Sequence, residues 1–317
     1  SLLTLLSRFT GLARDALMAS LFGTGWVLDA FTVAFRVPNL FRRLFGEGAM
    51  TAAFLPEFVR MDEENGRDAA TELFNGVAWR LLKILVVFLL IAEVALVGTW
   101  LFVSLSERST LLCELSLILM PYMVLICMAG LYSAALNGVQ HFFIPTMTSV
   151  VLNVVWLVSG LIAIALYSSD VSRVRLIASC LVGGGVLQLA MTAWMASRYS
   201  VRMRAKRVAS TAPDHTANVF RAMGPVLIGL SITQINGLID GLLAWFLVSP
   251  NLGGNTLVSH FLLPEGTAAA LYLGQRLYQF PLGVFAVALG TVLFPRFARH
   301  AAAGEFEELS RDVLHGL

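Results

Sequence analysis

Long apolar runs, separated by short polar breaks, set the pattern of this chain. Eight runs are long enough to cross about 30 Å of hydrocarbon. They lie at roughly 2–22, 29–58, 73–103, 111–137, 143–167, 175–197, 222–248 and 266–295. Gly23-Thr24-Gly25 separates the first two, and MDEENGRD from Met61 reads as a solvated loop after the second. Ser104–Thr110 follows the third run and Ser168–Ser172 the fifth. The pattern predicts an all-α, polytopic membrane helical bundle. The longest polar stretch, 198–221, carries Arg198, Arg202, Arg204, Lys206 and Arg207. Basic loops stay on the cytoplasmic side, so counting back puts the N-terminus inside as well. Outward loops are poorer in cations, with only Arg108, Arg173 and Arg175 nearby. Arg80 and Lys83 are expected to snorkel from the inner end of the third span.

The basic stretch divides the chain. Residues 1–197 read as an N-terminal lobe of six spans, 198–221 as a cytoplasmic linker, and 222–317 as the start of a second lobe. That second part holds two spans and the start of a third. Six spans followed by a second, incomplete block suggest a two-lobed transporter built from repeats. The first residue is Ser1, and the sequence stops at Leu317 just as a new helix begins, so we expect a fragment or a trimmed gene product. The first run holds Arg8, Arg14 and Asp15 and reads as a span, not a cleavable leader. Pro38, Pro225, Pro281 and the Gly183-Gly184-Gly185 triplet mark places where helices can bend or pack closely.

Charge breaks the apolar pattern most sharply in DAFTVAFRVPNLFRRLFGEG, which begins at Asp29. At about 100° per residue, Asp29, Arg36, Arg43 and Glu47 fall within roughly 20° of one direction, with Asn39 about 60° away. Phe31, Val33, Phe35, Leu40, Phe41 and Leu44 occupy other faces. A charge at the bilayer centre costs about 2.5–3.5 kcal/mol, so such charges line a polar cavity or pair within the protein. In the first span Arg8 and Asp15 share a face, while Arg14 points about 120° from Arg8. Guanidinium groups bind phosphates in bidentate fashion and stay ionised. Arg14, Arg36, Arg42 and Arg43 together suit a polyanionic head group, with Asp15, Asp29 and Glu47 as partial compensation. Arg276 is the only charge in the long apolar run around it, which points it inward.

Composition agrees. Charged residues make up 13% of the 317 and hydrophobic ones 57%, against about 25% charged in a soluble domain. Cys113, Cys127 and Cys180 sit in apolar segments without CxxC spacing, and the five histidines are scattered, so no metal site is expected. Glu93 is a lone acid deep in a span, readable as a proton site or as a neutral, hydrogen-bonded group between helices. Asp240, with Thr233, Gln234 and Asn236 about a turn away, offers oxygens that suit a hard cation such as Na⁺. There is no P-loop, no GxSxG and no Ser–His–Asp constellation, so no cofactor is expected. Transport would draw on an ion gradient, the membrane potential or downhill flow.

Three stretches carry a family resemblance: SRFTGLARDALMASLFGTGWVLDAFTVAFRVPNLFRRLFGEGAMTAAFLP from Ser7, GPVLIGLSITQI from Gly224, and QRLYQFPLGVFAVALGTVLFPRFAR from Gln275. The chain resembles the MurJ (MviN) family of lipid II flippases, within the multidrug/oligosaccharidyl-lipid/polysaccharide exporter superfamily. That resemblance implies a bacterial inner-membrane transporter, not an enzyme. It would move undecaprenyl-pyrophosphate-linked peptidoglycan precursor between leaflets, in a fold of fourteen helices in two lobes around a cavity. A lateral gate between the first and eighth helices is implied too. The implied partners are the lipid-linked precursor, membrane lipids and cell-wall synthesis proteins, with no nucleic acid. The family's cavity arginines match Arg8, Arg14, Arg42 and Arg276, and its cavity acid matches Asp29; Arg36 stands where the family often has Lys. Alignment favours Arg42 where helical geometry favours Arg43, and both are kept. The sodium site implied for some members includes Asp240. Rival readings are an exporter of a drug or another polyprenyl-linked glycan, a truncated non-transporting relative, and a membrane transferase. The last lacks the acid cluster its chemistry needs.

Overall fold

Helices follow the apolar runs closely where a single span was predicted, and less closely where polar residues were taken to end one. The computed structural model describes residues 2–203, 213–248 and 263–277. Its elements are α1 (Leu2–Phe22), α2 (Trp26–Phe41), a π-helical stretch (Arg42–Phe54), α3 (Leu55–Phe102), α4 (Glu107–Gly138), α5 (Phe143–Leu166), α6 (Asp170–Arg198) and α7 (Pro213–Phe246). A short helix, α8 (267–277), follows. Packing divides the chain into two compact units, Ser1–Leu271 and Tyr272–Leu317. Among the described residues, the 26–102 stretch, α4, α5 and α6 are long and apolar enough to cross a membrane. A fifth is the pair His215–Ile232 and Gln234–Phe246, bent by 41°. Most of the predicted eighth span, including Pro281, lies outside the described residues, as do Arg204, Lys206 and Arg207 of the basic stretch.

Three expectations are corrected. The MDEENGRD segment is helical on both sides of a single break at Gly66, whose φ of 84° only glycine adopts readily. No proline interrupts it, Met61, Glu63, Glu64 and Arg67 are good helix formers, and Arg67 pairs with Asp62 across the break at 2.8 Å. At Pro38 the helix continues, then opens into the π-helical turns from Arg42 onward. Such turns bond five residues apart and cluster at functional sites. The 100° wheel therefore stops applying at Arg42. Finally, α7 starts at Pro213, well before the predicted 222, and its bend falls between Ile232 and Gln234 rather than at Pro225.

The glycine triplet turns out to serve packing, since α6 is unbroken across it. A Cβ on Gly185 would meet the Tyr122 ring at 2.7 Å, whereas one on Gly183 would meet nothing within 4 Å. Gly185→Ala is expected to cost about 1–3 kcal/mol by overpacking, and Gly183→Ala to be neutral or mildly stabilising. Thermal unfolding in detergent distinguishes the two; equal midpoints would remove the packing role.

α4, α5 and α6 pack on one another, with α2 against α4 and α1 against α5. An aromatic core joins them: Phe31 and Phe35 meet the Trp156 ring edge-on at 5.5 and 5.3 Å, and Phe35 meets Tyr122 at 5.9 Å. α7 lies against α2, the π-helical stretch and α3.

Candidate functional site

α7 runs antiparallel to the 26–58 stretch, and polar side chains meet it along its length. At one end, His215 Nδ1 lies 2.8 Å from Glu57, which also accepts from Arg60 at 2.6 Å. Arg80, expected to snorkel, is exposed and lies over the Phe220 ring of α7 at 5.5 Å. Further along, a Cβ on Gly48 would overlap the Leu230 side chain. Arg43 donates to Gln234 Oε1 at 3.2 Å. Arg36 donates to the Gly237 carbonyl, and a Cβ on Gly241 would overlap its guanidinium. Leu230, Gln234, Gly237, Gly241 and Trp245 form one stripe at helical spacing. At the far end Arg108 stacks over Trp245 at 3.9 Å.

Asp29 closes this end. It is fully buried and accepts from the backbone N–H of Gly266 at 2.9 Å and of Ala269 at 2.7 Å, with Arg108 at 3.5 Å. It thus caps the first turn of α8, where unpaired N–H groups and the helix dipole favour an anion. The loop leading there is tied by Leu263 N–H to the Leu247 carbonyl, at 2.9 Å.

Asp15 pairs with Arg14 at 2.7 Å, not with Arg8, because the guanidinium of its neighbour curls back onto it. Arg42 donates to Asn39 Oδ1 at 3.1 Å. The Glu47 side chain lies outside the described residues. Arg276 belongs to the second unit, with its guanidinium over Tyr272 at 5.1 Å. Asp240 is 3.5 Å from Asn236 Nδ2, but Gln234, expected beside it, is turned onto Arg43. The Thr233 side chain lies outside the described residues. Glu93 Oε1 is buried without a hydrogen-bond partner among the described residues. Sequence reasoning missed Arg108 as a partner of Asp29, the Glu57–His215 contact, and the role of Asn153 and Trp156 beside Arg14. Only a polar amide in an apolar span hinted at the last.

A family model described as lipid II flippase MurJ matches residues 18–317. The chain belongs to the lipid II flippase MurJ family. Among MurJ relatives, a probable lipid II flippase MurJ from Rhizobium tropici is 34% identical over 314 residues, covering 96% of this chain and 55% of the relative. The lipid II flippase MurJ of Burkholderia cenocepacia is 30% identical over 334 residues, covering 99% and 58%. The chain thus spans little more than half the length of these relatives. A solved structure titled lipid II flippase MurJ, inward closed conformation, superposes with a TM-score of 0.73 at 22% identity. It covers 95% of this chain and 59% of that one, and it establishes the shared helical fold. The match to the MurJ model includes Asp29, Arg36, Arg42, Arg43 and Arg276, the polar residues that the membrane setting makes most costly to keep.

Proposed function

We propose that the protein carrying this chain is a flippase that moves lipid II from the cytoplasmic to the periplasmic leaflet of the bacterial inner membrane. It is a transporter, not an enzyme, and works by alternating access with its N-terminus in the cytoplasm. Residues 1–197 form its first lobe, 198–221 the cytoplasmic linker, and 222–317 the start of its second lobe. The observation that carries this reading is the row of guanidiniums facing α7. Arg36 and Arg43 already hold oxygens of α7, and a diphosphate presents the same acceptors with more charge. On this reading cargo entry releases the α7 end held by Glu57–His215. Exit releases the end held by Asp29 and Arg108, which is the periplasmic side. Coupling comes from Na⁺ at Asp240 or from the membrane potential, about 2.3 kcal/mol per charge per 100 mV. No cofactor is needed. Its partners are the lipid-linked precursor, membrane lipids and cell-wall synthesis proteins.

The test is translocation of fluorescently labelled lipid II in proteoliposomes, using the protein at its natural length. Arg14→Ala and Arg276→Ala are expected to fall to the protein-free background with unchanged insertion, the Arg14 variant also losing stability because buried Asp15 and Asn153 lose their guanidinium partner. Competition by lipid II but not by cationic dyes supports this cargo over drugs. Wild-type rates in both variants would remove the guanidinium-based reading.

A further inference from the structure

Arg14 is held by a device on α5. Asn153 is a polar residue within the apolar run of α5, and it is only 6% exposed. A buried amide in a membrane span needs partners, and Asn153 finds all of them on α1. Its Nδ2 donates to the Ser7 carbonyl at 3.0 Å and to Thr10 Oγ1 at 3.2 Å. A backbone carbonyl can only accept, so the amide nitrogen faces Ser7 and the oxygen is turned the other way. That oxygen accepts from Arg14 Nη1 at 3.0 Å. One turn along α5, Trp156 lies beneath the guanidinium, 4.4 Å from its carbon. The indole is 1% exposed and wedged edge-on between Phe31 and Phe35, so it cannot tilt freely.

The guanidinium is therefore fixed in both plane and direction. Of its five N–H donors, Nε and Nη2 each give one to Asp15 Oδ1, and Nη1 gives one to Asn153. Two N–H groups, one on each terminal nitrogen, are left without a partner among the described residues. Asp15 also balances the charge at 2.7 Å. What Arg14 offers is thus two aimed donors more than net positive charge, and that geometry suits two oxygens of one phosphate group.

We propose that Asn153 and Trp156 are positioning residues for Arg14, presenting those two donors to a phosphate of a polyprenyl diphosphate. The inference rests on the flippase reading and adds the residues that set the geometry of one arginine in it. Asn153 touches no cargo; it acts through Arg14. A conserved charge at position 14 is then insufficient, because an ammonium group cannot reproduce the fork.

The experiment measures binding of farnesyl diphosphate, with farnesol as the probe lacking the diphosphate, to the natural-length protein in nanodiscs. Asn153→Leu is expected to weaken farnesyl diphosphate about tenfold and farnesol not at all. Arg14→Lys is expected to weaken it by a similar factor. In the Arg14→Lys background, Asn153→Leu is expected to add less than twofold, since coupled residues do not add. Asn153→Gln restores binding to within about threefold, and Trp156→Phe, which keeps the packing but weakens the cation-binding face, loses about three- to tenfold. Should Asn153→Leu fail to fold, the Gln and Phe variants carry the test alone. Full additivity of Asn153→Leu with Arg14→Lys, or wild-type affinity in Trp156→Phe, overturns the proposal while leaving the flippase reading intact. No preference of the wild type for farnesyl diphosphate over farnesol removes that reading itself.

Discussion

Asp29→Ala is expected to lower stability by about 3–5 kcal/mol, the range for removing one partner of a buried charged pair. The carboxylate is fully buried, and three donors converge on it: the N–H groups of Gly266 and Ala269 and the guanidinium of Arg108. Alanine leaves two helix N-terminal N–H groups unpaired in a buried place and a guanidinium without its counter-charge. It also frees the Arg108 side chain to abandon Trp245. The loss is centred on the start of α8, so hydrogen exchange in 263–269 is expected to rise ahead of the global transition. Asp29→Asn keeps one acceptor oxygen and is expected to lose about half as much. The measurements are thermal unfolding in detergent and peptide-resolved exchange. Unchanged exchange at 263–269 in Asp29→Ala would show that the cap does not hold this segment.

Replacing Arg36 and Arg43 together by Gln is expected to reduce lipid II translocation by at least about 100-fold. A hydrogen bond to a charged group contributes about 1.5–3 kcal/mol. Two of them amount to about 3–6 kcal/mol, at about 1.4 kcal/mol per tenfold. Both side chains sit on the side of the 26–54 stretch that faces α7, and both already donate to oxygens of that helix. On the proposed flippase reading, diphosphate oxygens would compete with α7 for the same N–H groups, and cargo binding would loosen α7. The Lys double variant keeps the charge but loses the planar fork, and is expected to retain about a tenth of the wild-type rate. Translocation in proteoliposomes, with unfolding temperature as the control, checks both. A Gln double variant within twofold of wild type would place the diphosphate elsewhere.

The helices themselves were largely legible. Each span is written in consecutive residues, since hydrocarbon thickness sets its length and composition sets its place. α1 and α5 start and stop within a few residues of the apolar runs. Where the reading slipped, local chemistry explains it. MDEENGRD is polar enough for a loop, yet it holds four good helix formers and no proline, and only Gly66 breaks the helix. The wheel that grouped Asp29 with Arg43 and Glu47 applies only up to Arg42, where the π-helical turns begin.

That costly charges had to be satisfied inside the bundle was also settled by sequence alone, because a lipid environment offers no alternative. Their partners were not. Asp29 meets backbone groups 237 and 240 positions away, and Arg14 meets an amide 139 positions away. Periodicity assigns each residue a face, but it carries no information about which helix arrives opposite that face. Packing of α5 on α1 and of α7 on α2 made those choices. The same two charges, Arg14 and Asp29, thus became a fixed guanidinium fork and a helix cap through contacts that exist only once the bundle is assembled.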